Sequence, residues 1–150
     1  MSDTKAIFSV ERAEESTGFL LWQVSSLWQR NLNTLLRKYN LTHAQFVVLA
    51  STTWLTIKLQ NITQVQIANH AKMDVMLVSN ILKTLEKKSL IQRTLSKVDS
   101  RAKIVNVTHS GITLSQQTVQ DVETYDKQFF KILDQSLPNF NQELLNLSLQ

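Results

Sequence analysis

Apolar side chains along this chain recur mostly three and four positions apart, and that spacing divides the first 90 residues into four helices. Leu20, Leu21, Val24, Leu27, Trp28, Leu32, Leu35, Leu36 and Tyr39 follow it between Gly18 and Tyr39, which predicts a helix stopped at Asn40. Leu41-Thr42-His43-Ala44-Gln45-Phe46 then combines a capping threonine, a glutamine three residues on, and a staple pair in Leu41 and Phe46. The run FVVLASTTWLTI that follows is β-branched enough for a buried strand, but its cap and length predict a helix over 43–58. The same start signal recurs in Ile62-Thr63-Gln64-Val65-Gln66-Ile67 and predicts a helix capped by Thr63, short because Ala71-Lys72-Met73-Asp74 reads as a turn. After a turn ending at Asp74, a further helix runs to about Lys88, with Val78, Ile81, Leu82 and Leu85 as its apolar stripe. Two helices about three residues apart, the second capped by aspartate, make a helix-turn-helix.

Past Leu90 the period changes. Ile91-Gln92-Arg93-Thr94-Leu95 and Lys103-Ile104-Val105-Asn106-Val107 read as short strands around a polar, basic loop, hence a hairpin. Thr108 can cap a helix to about Gln135 whose apolar side is Leu114, Val119, Val122, Phe129, Ile132 and Leu133. Pro138 suits the first turn of a last helix ending near Leu149. Residues 1–16 are polar and expected to fray at the start. The predicted fold class is mainly α: a winged helix-turn-helix with a short β-hairpin wing.

Composition narrows the picture without changing it. Two glycines and one proline among 150 residues favour long helices over a turn-rich β architecture. The absence of cysteine excludes disulfides, thiolate metal sites and cysteine nucleophiles, and fits a reducing cytoplasm. No apolar run reaches signal-peptide or membrane-span length, so the chain is expected to be cytoplasmic with no membrane partner. Charge is more telling. Lys72, Lys83, Lys87, Lys88, Arg93, Lys97, Arg101 and Lys103 face only Asp74, Glu86 and Asp99 between positions 72 and 103, whereas the rest of the chain holds eight basic and nine acidic residues. Such a basic module suits a polyanion partner, double-stranded DNA above all, or is a solvated charged face.

The outer face of helix 74–88 carries Met76, Ser79, Asn80, Lys83 and Lys87. Asparagine can pair with adenine, Met76 or Val75 can touch thymine methyls, and the lysines can neutralise phosphates. A second helix of this kind enters the major groove in helix-turn-helix proteins. On the hairpin, Arg101 at the tip suits the negative potential of the minor groove, with Lys97 and Lys103 beside it. Asp99 is out of place on a DNA surface unless it orients Arg101 through a carboxylate–guanidinium pair.

These residues bring a family into view. Leu85-Glu86-Lys87-Lys88-Ser89-Leu90-Ile91 resembles the L-E-x-K-G-L-I pattern of the MarR family of bacterial transcriptional regulators. Asp99-Ser100-Arg101-Ala102-Lys103 is similar to its D-x-R-x-K wing signature, and Val107-Thr108-His109-Ser110-Gly111 to its L-T-x-x-G helix entry. The resemblance implies a homodimer reading a pseudo-palindromic operator, usually as a repressor released by a small aromatic anion or other effector. It implies a winged helix at 42–108 and dimerisation helices at 18–40 and 109–149. Ser89 stands where the family has glycine, so a left-handed helix end there costs about 1 kcal/mol.

Independently, Phe19, Leu20, Trp22, Phe129, Phe130, Leu137, Phe140, Leu144, Leu145 and Leu147 load both termini with apolar surface, which favours a dimer over packing within one chain. No cofactor is expected, and no enzyme: phosphate loops and nucleophile elbows are missing. His43, His70 and His109 lie far apart as capping or surface groups, with no metal site. Trp22, Trp28, Trp54 and Phe46 either line an aromatic effector pocket or pack in the core. The competing reading of the fold is a winged helix used for protein–protein or RNA contacts.

Overall fold

In the computed structural model, which describes residues 7–150, side-chain caps start the helices. Thr42 and Thr63 accept from the backbone N–H groups of Gln45 and Gln66, whose side chains accept in return, so both capping boxes close. Asp74 accepts from Leu77 N–H at 3.1 Å, and Thr108 from Gly111 N–H at 3.0 Å. Each cap contributes about 1 kcal/mol. The resulting elements are α1 (Thr17–Leu36), α2 (His43–Lys58), α3 (Gln64–Ala71), α4 (Val75–Lys87), β1 (Ile91–Leu95), β2 (Lys103–Val107), α5 (His109–Phe129) and α6 (Leu137–Ser148). Short 3-10 segments occupy Ala13–Glu15, Arg37–Tyr39 and Phe130–Ser136. The ambiguous β-branched run is helical, as its cap predicted. Of the stretch 1–16 expected to fray at its start, residues 1–6 lie outside the described residues.

Three helical segments end on a left-handed residue, and none is glycine. Asn40, Lys72 and Ser89 have φ of 55°, 54° and 59°. In each case the following N–H reaches back five residues: Leu41 to Leu36 at 3.3 Å, Met73 to Ala68 at 3.0 Å, Leu90 to Leu85 at 3.0 Å. These bonds satisfy carbonyls that the helix would leave open, and they turn the apolar residues Leu41, Met73 and Leu90 back toward the core.

That core lies under α4. Val78, Ile81, Leu82 and Leu85 share one buried cluster with Leu32 and Leu36 of α1, Val48 and Leu49 of α2, Ile67 of α3, and Ile91 and Val105 of the hairpin. The strands pair antiparallel from Ile91↔Val107 to Leu95↔Lys103. β2 is also tied to the entrance of α3, since Val105 N–H donates to the Ile62 carbonyl at 2.8 Å. Along α5 the buried positions are Gly111, Ser115, Thr118 and Val122. Ser115 and Thr53 share a 2.8 Å hydroxyl–hydroxyl bond, and Thr118 donates to the Leu114 carbonyl at 2.8 Å, which is how small polar residues enter the interior. Ile132, expected on the apolar side, is exposed.

The last long helix also stops earlier than its pattern predicts. α5 ends at Phe129, and Asp134 takes φ 44° and ψ −119°. Pro138 accounts for the break at Asp134. A proline inside a helix lacks a donor for the carbonyl four residues back and its ring clashes with that carbonyl, and the residue four back is Asp134. Phe129, Phe130 and Phe140 pack ring to ring across this break. No residue of α6 is buried. Among the described residues no helix is long and apolar enough to cross a membrane.

One contact needs glycine for space. A Cβ on Gly111 would stand 2.1 Å from the Leu90 carbonyl oxygen, and that oxygen already accepts from Thr108 N–H and Oγ1. Two variants of opposite sign follow. Ser89→Gly is expected to stabilise the chain by about 1 kcal/mol, a rise of roughly 2–4 °C in Tm at fixed protein concentration. Gly111→Ala is expected to cost about 1–3 kcal/mol by overpacking against backbone. A neutral Gly111→Ala in the same calorimetric scan would show that the junction has slack.

Candidate nucleic-acid interface

With its stripe buried, α4 presents Met76, Asn80, Lys83 and Lys87 outward, and Ser79 half-buried at their edge. Among the described residues the side chains of Asn80, Lys83 and Lys87 have no intramolecular partner. An exposed amide and two uncommitted ammonium groups on one helix face leave donors and acceptors open to a ligand.

Two of the eight basic residues between 72 and 103 are used inside the molecule, which the charge count did not reveal. Arg93 on β1 is only 11% exposed. Its Nε donates to Glu86 of α4 at 2.7 Å and its Nη1 to Gln64 of α3 at 3.1 Å. One guanidinium thus joins both helices of the helix-turn-helix to the wing. The Arg93 hydrogen bond holds the Glu86 carboxyl below its ordinary pKa, against partial burial, helped by the charges of Arg93 and Lys103. A depressed carboxylate contributes its stability above the unfolded pKa and loses it as pH falls through the folded one, so this clamp is insensitive to pH near neutrality. Lys88 donates to the Asn40 carbonyl and to Gln45 Oε1, fastening the end of α4 to the α1–α2 connection. The sequence signal for the clamp was an acid and a base seven positions apart on either side of the Ser89 turn.

The wing tip corrects one expectation. Asp99 does not pair with the Arg101 guanidinium among the ion pairs of the described residues. Its Oδ1 accepts from the Arg101 backbone N–H at 3.0 Å, while its carbonyl accepts from Ala102 N–H at 3.0 Å. This is a side-chain turn of the kind aspartate favours. Ser96 closes the other side, its Oγ accepting from the N–H groups of Val98 and Asp99 at 3.2 Å. The short range explains the preference: a carboxylate two residues away reaches the backbone more readily than a mobile guanidinium. Lys97, Arg101 and Lys103 all point to solvent.

The four aromatic residues do not line one pocket: Trp28 and Phe46 pack around His43, apart from Trp22 and Trp54. Phe46 is buried, and Trp28 donates its indole N–H to Asp126 at 2.8 Å. His43 stands between their rings, at 5.0 Å from Trp28 and 6.4 Å from Phe46, and burial lowers its pKa. It is thus a packed group, whereas His70 and His109 are exposed. Trp22 and Trp54 are 68% and 55% exposed at separate sites. Trp54 borders an open cleft of about 400 Å³ between α2 and α5, lined also by Ala50, Ile57, Val119, the Thr53–Ser115 pair and Glu123.

Known proteins share this architecture. The model of the MarR family matches residues 41–103. A relative from Bacillus subtilis (strain 168), the uncharacterized HTH-type transcriptional regulator YdcH, is 36% identical over 115 residues, covering 77% of this chain and 78% of that one. The chain belongs to the MarR family. This MarR-family transcriptional regulator is similar to a mutant MarR from E. coli complexed with operator DNA, at 26% identity and a TM-score of 0.73 over 89% of this chain and 93% of that one. It has the fold of CouR from Rhodococcus jostii RHA1 bound to p-coumaroyl-CoA, at 21% identity and a TM-score of 0.78 over 91% and 93% of the two chains.

The wing turn can be tested directly. Asp99→Asn keeps an acceptor at Oδ1 and Asp99→Ala removes it. Amide hydrogen exchange at Arg101 should stay near wild type in the first and speed up about fivefold in the second, the weight of one hydrogen bond of about 1 kcal/mol. Equal acceleration in both variants would restore the ion pair as the task of Asp99.

Proposed function

We propose that this regulator works in the cytoplasm as a homodimer, without enzymatic activity. It reads a pseudo-palindromic DNA operator through α4 in the major groove and the wing in the minor groove, as a ligand-responsive repressor. The observation that carries the reading is the division of the basic module. Lys88 and Arg93 are consumed by the fold, while Asn80, Lys83, Lys87, Lys97 and the Arg101 guanidinium are left without an intramolecular partner among the described residues. A protein-binding wing would carry apolar or neutral groups in their place. The E. coli relative complexed with operator DNA supports the same use of the fold.

Residues 42–108 form the reading module in this proposal, and 18–40 with 109–149 form the dimer. Support comes from surface that one chain leaves uncovered: Leu21, Trp22 and Val24 of α1 and Leu144, Leu145 and Leu147 of α6 are all exposed. Two copies would bury them and set the half-site spacing.

The α2–α5 cleft supports an effector of aromatic size. Among the described residues Glu123 is the one charged residue lining it, and Lys58 covers the Trp54 ring from 5.1 Å, so the charges at the cleft are of both signs and a neutral aromatic is the effector to test first. Indole is expected to lower duplex affinity in wild type and not in Trp54→Ala; release by benzoate with none by indole would contradict this.

The central test is a binding titration across salt concentrations. Specific duplex selected from a random pool should be held with a steep log–log salt slope. Lys87→Ala should flatten that slope by about 0.9 per phosphate contact, and so by roughly twice that in a dimer. An unchanged slope would remove Lys87 from the interface, and the absence of any duplex binding would favour the protein-contact reading.

A further inference from the structure

The first turn of α4 is apolar at the point where the helix is least covered. Val75, Met76 and Leu77 are 42%, 74% and 47% exposed. Three consecutive alkyl side chains splay over more than half of the helix circumference, so packing on one core cannot account for all of them. The next turn exposes Asn80, whose amide is unpartnered among the described residues. Cationic groups come only later, at Lys83 and Lys87, and no arginine occurs between Asp74 and Lys88. The face therefore runs from apolar, through an amide, to positive.

That gradient matches one kind of surface in a duplex groove. The thymine C5-methyl is the apolar feature of the major-groove edge, and adenine N6 and N7 match an asparagine amide bidentately. Guanine O6 and N7 are read by arginine or lysine, and the first two turns of α4 have neither. The lysines further along suit the phosphates flanking the groove. Leaving Met76 in water would waste apolar area that a methyl group can cover.

Resting on the proposal that α4 enters the major groove, we infer that the base pairs facing its first two turns are A·T pairs. Met76 covers thymine methyls, with Val75 and Leu77 at its sides, and Asn80 pairs with adenine.

The full-length chain is used to select duplexes from a random pool, and thymidines of the selected half-site are then replaced by deoxyuridine, which removes only the methyl. The inference expects A·T pairs at the centre of each half-site and a loss of about fourfold in affinity per methyl removed from the contacted positions. Met76→Ala should weaken the thymidine duplex and become insensitive to the replacement, while Met76→Leu should retain sensitivity. Both variants keep the fold because the side chain is exposed. Half-sites centred on G·C, or equal affinity for the uracil duplex, would overturn the inference and leave DNA reading by α4 standing. A pool in which no sequence is enriched would overturn both.

Discussion

The Leu90 carbonyl oxygen is where the reading helix, the wing and the long C-terminal helix are joined. It accepts both the N–H and the hydroxyl of Thr108, while Gly111 lies against it with no room for a side chain. On one side, the left-handed Ser89 turns the chain out of α4; on the other, Thr108 caps α5. The start of β1, the end of β2 and the first turn of α5 therefore share one fixed point. A shift there would move the wing tip relative to α4, and both would no longer fit two adjacent grooves of one duplex.

Around that point, polar groups divide into those that build the frame and those that stay available. Arg93, Glu86 and Gln64 cross-link α3, α4 and β1, and Lys88 secures the far end of α4. Charge-assisted bonds of this sort are shorter and stronger than neutral ones, and they set the angle between helix and wing without touching a ligand. The groups left over are on the outer face of α4 and the wing. A basic residue count alone overstates the binding surface, because a guanidinium that is nearly buried against a carboxylate offers no charge to a phosphate.

Most of the frame was legible from local chemistry. The caps at Thr42, Thr63, Asp74 and Thr108 act within three residues, so their signals sit in adjacent letters and match the observed helix starts. Ser89 was legible as a left-handed position only through the family resemblance, which puts glycine at its place. What failed to show depends on partners distant in sequence or on competition between nearby acceptors. The burial of Ser115 and Thr118 needs the facing helix to be known, and hydropathy assigns such residues to the outside. The break at Asp134 was hidden because the apolar spacing continues through it, and Pro138 acts four residues upstream of itself. For Asp99 the chemistry was read correctly as structural, but the backbone N–H of Arg101 outcompeted its side chain.

Operator reading by this fold requires α4 and the wing to engage one duplex together. Hydrogen exchange of the free protein and of its complex with the selected duplex tests this most directly. Backbone amides in residues 75–87 and 95–103 should gain protection in the same complex, with α1, α6 and the α2–α5 cleft unchanged by DNA beyond the dimer's own protection. Protection confined to α1 and α6, or to α4 without the wing, would contradict it.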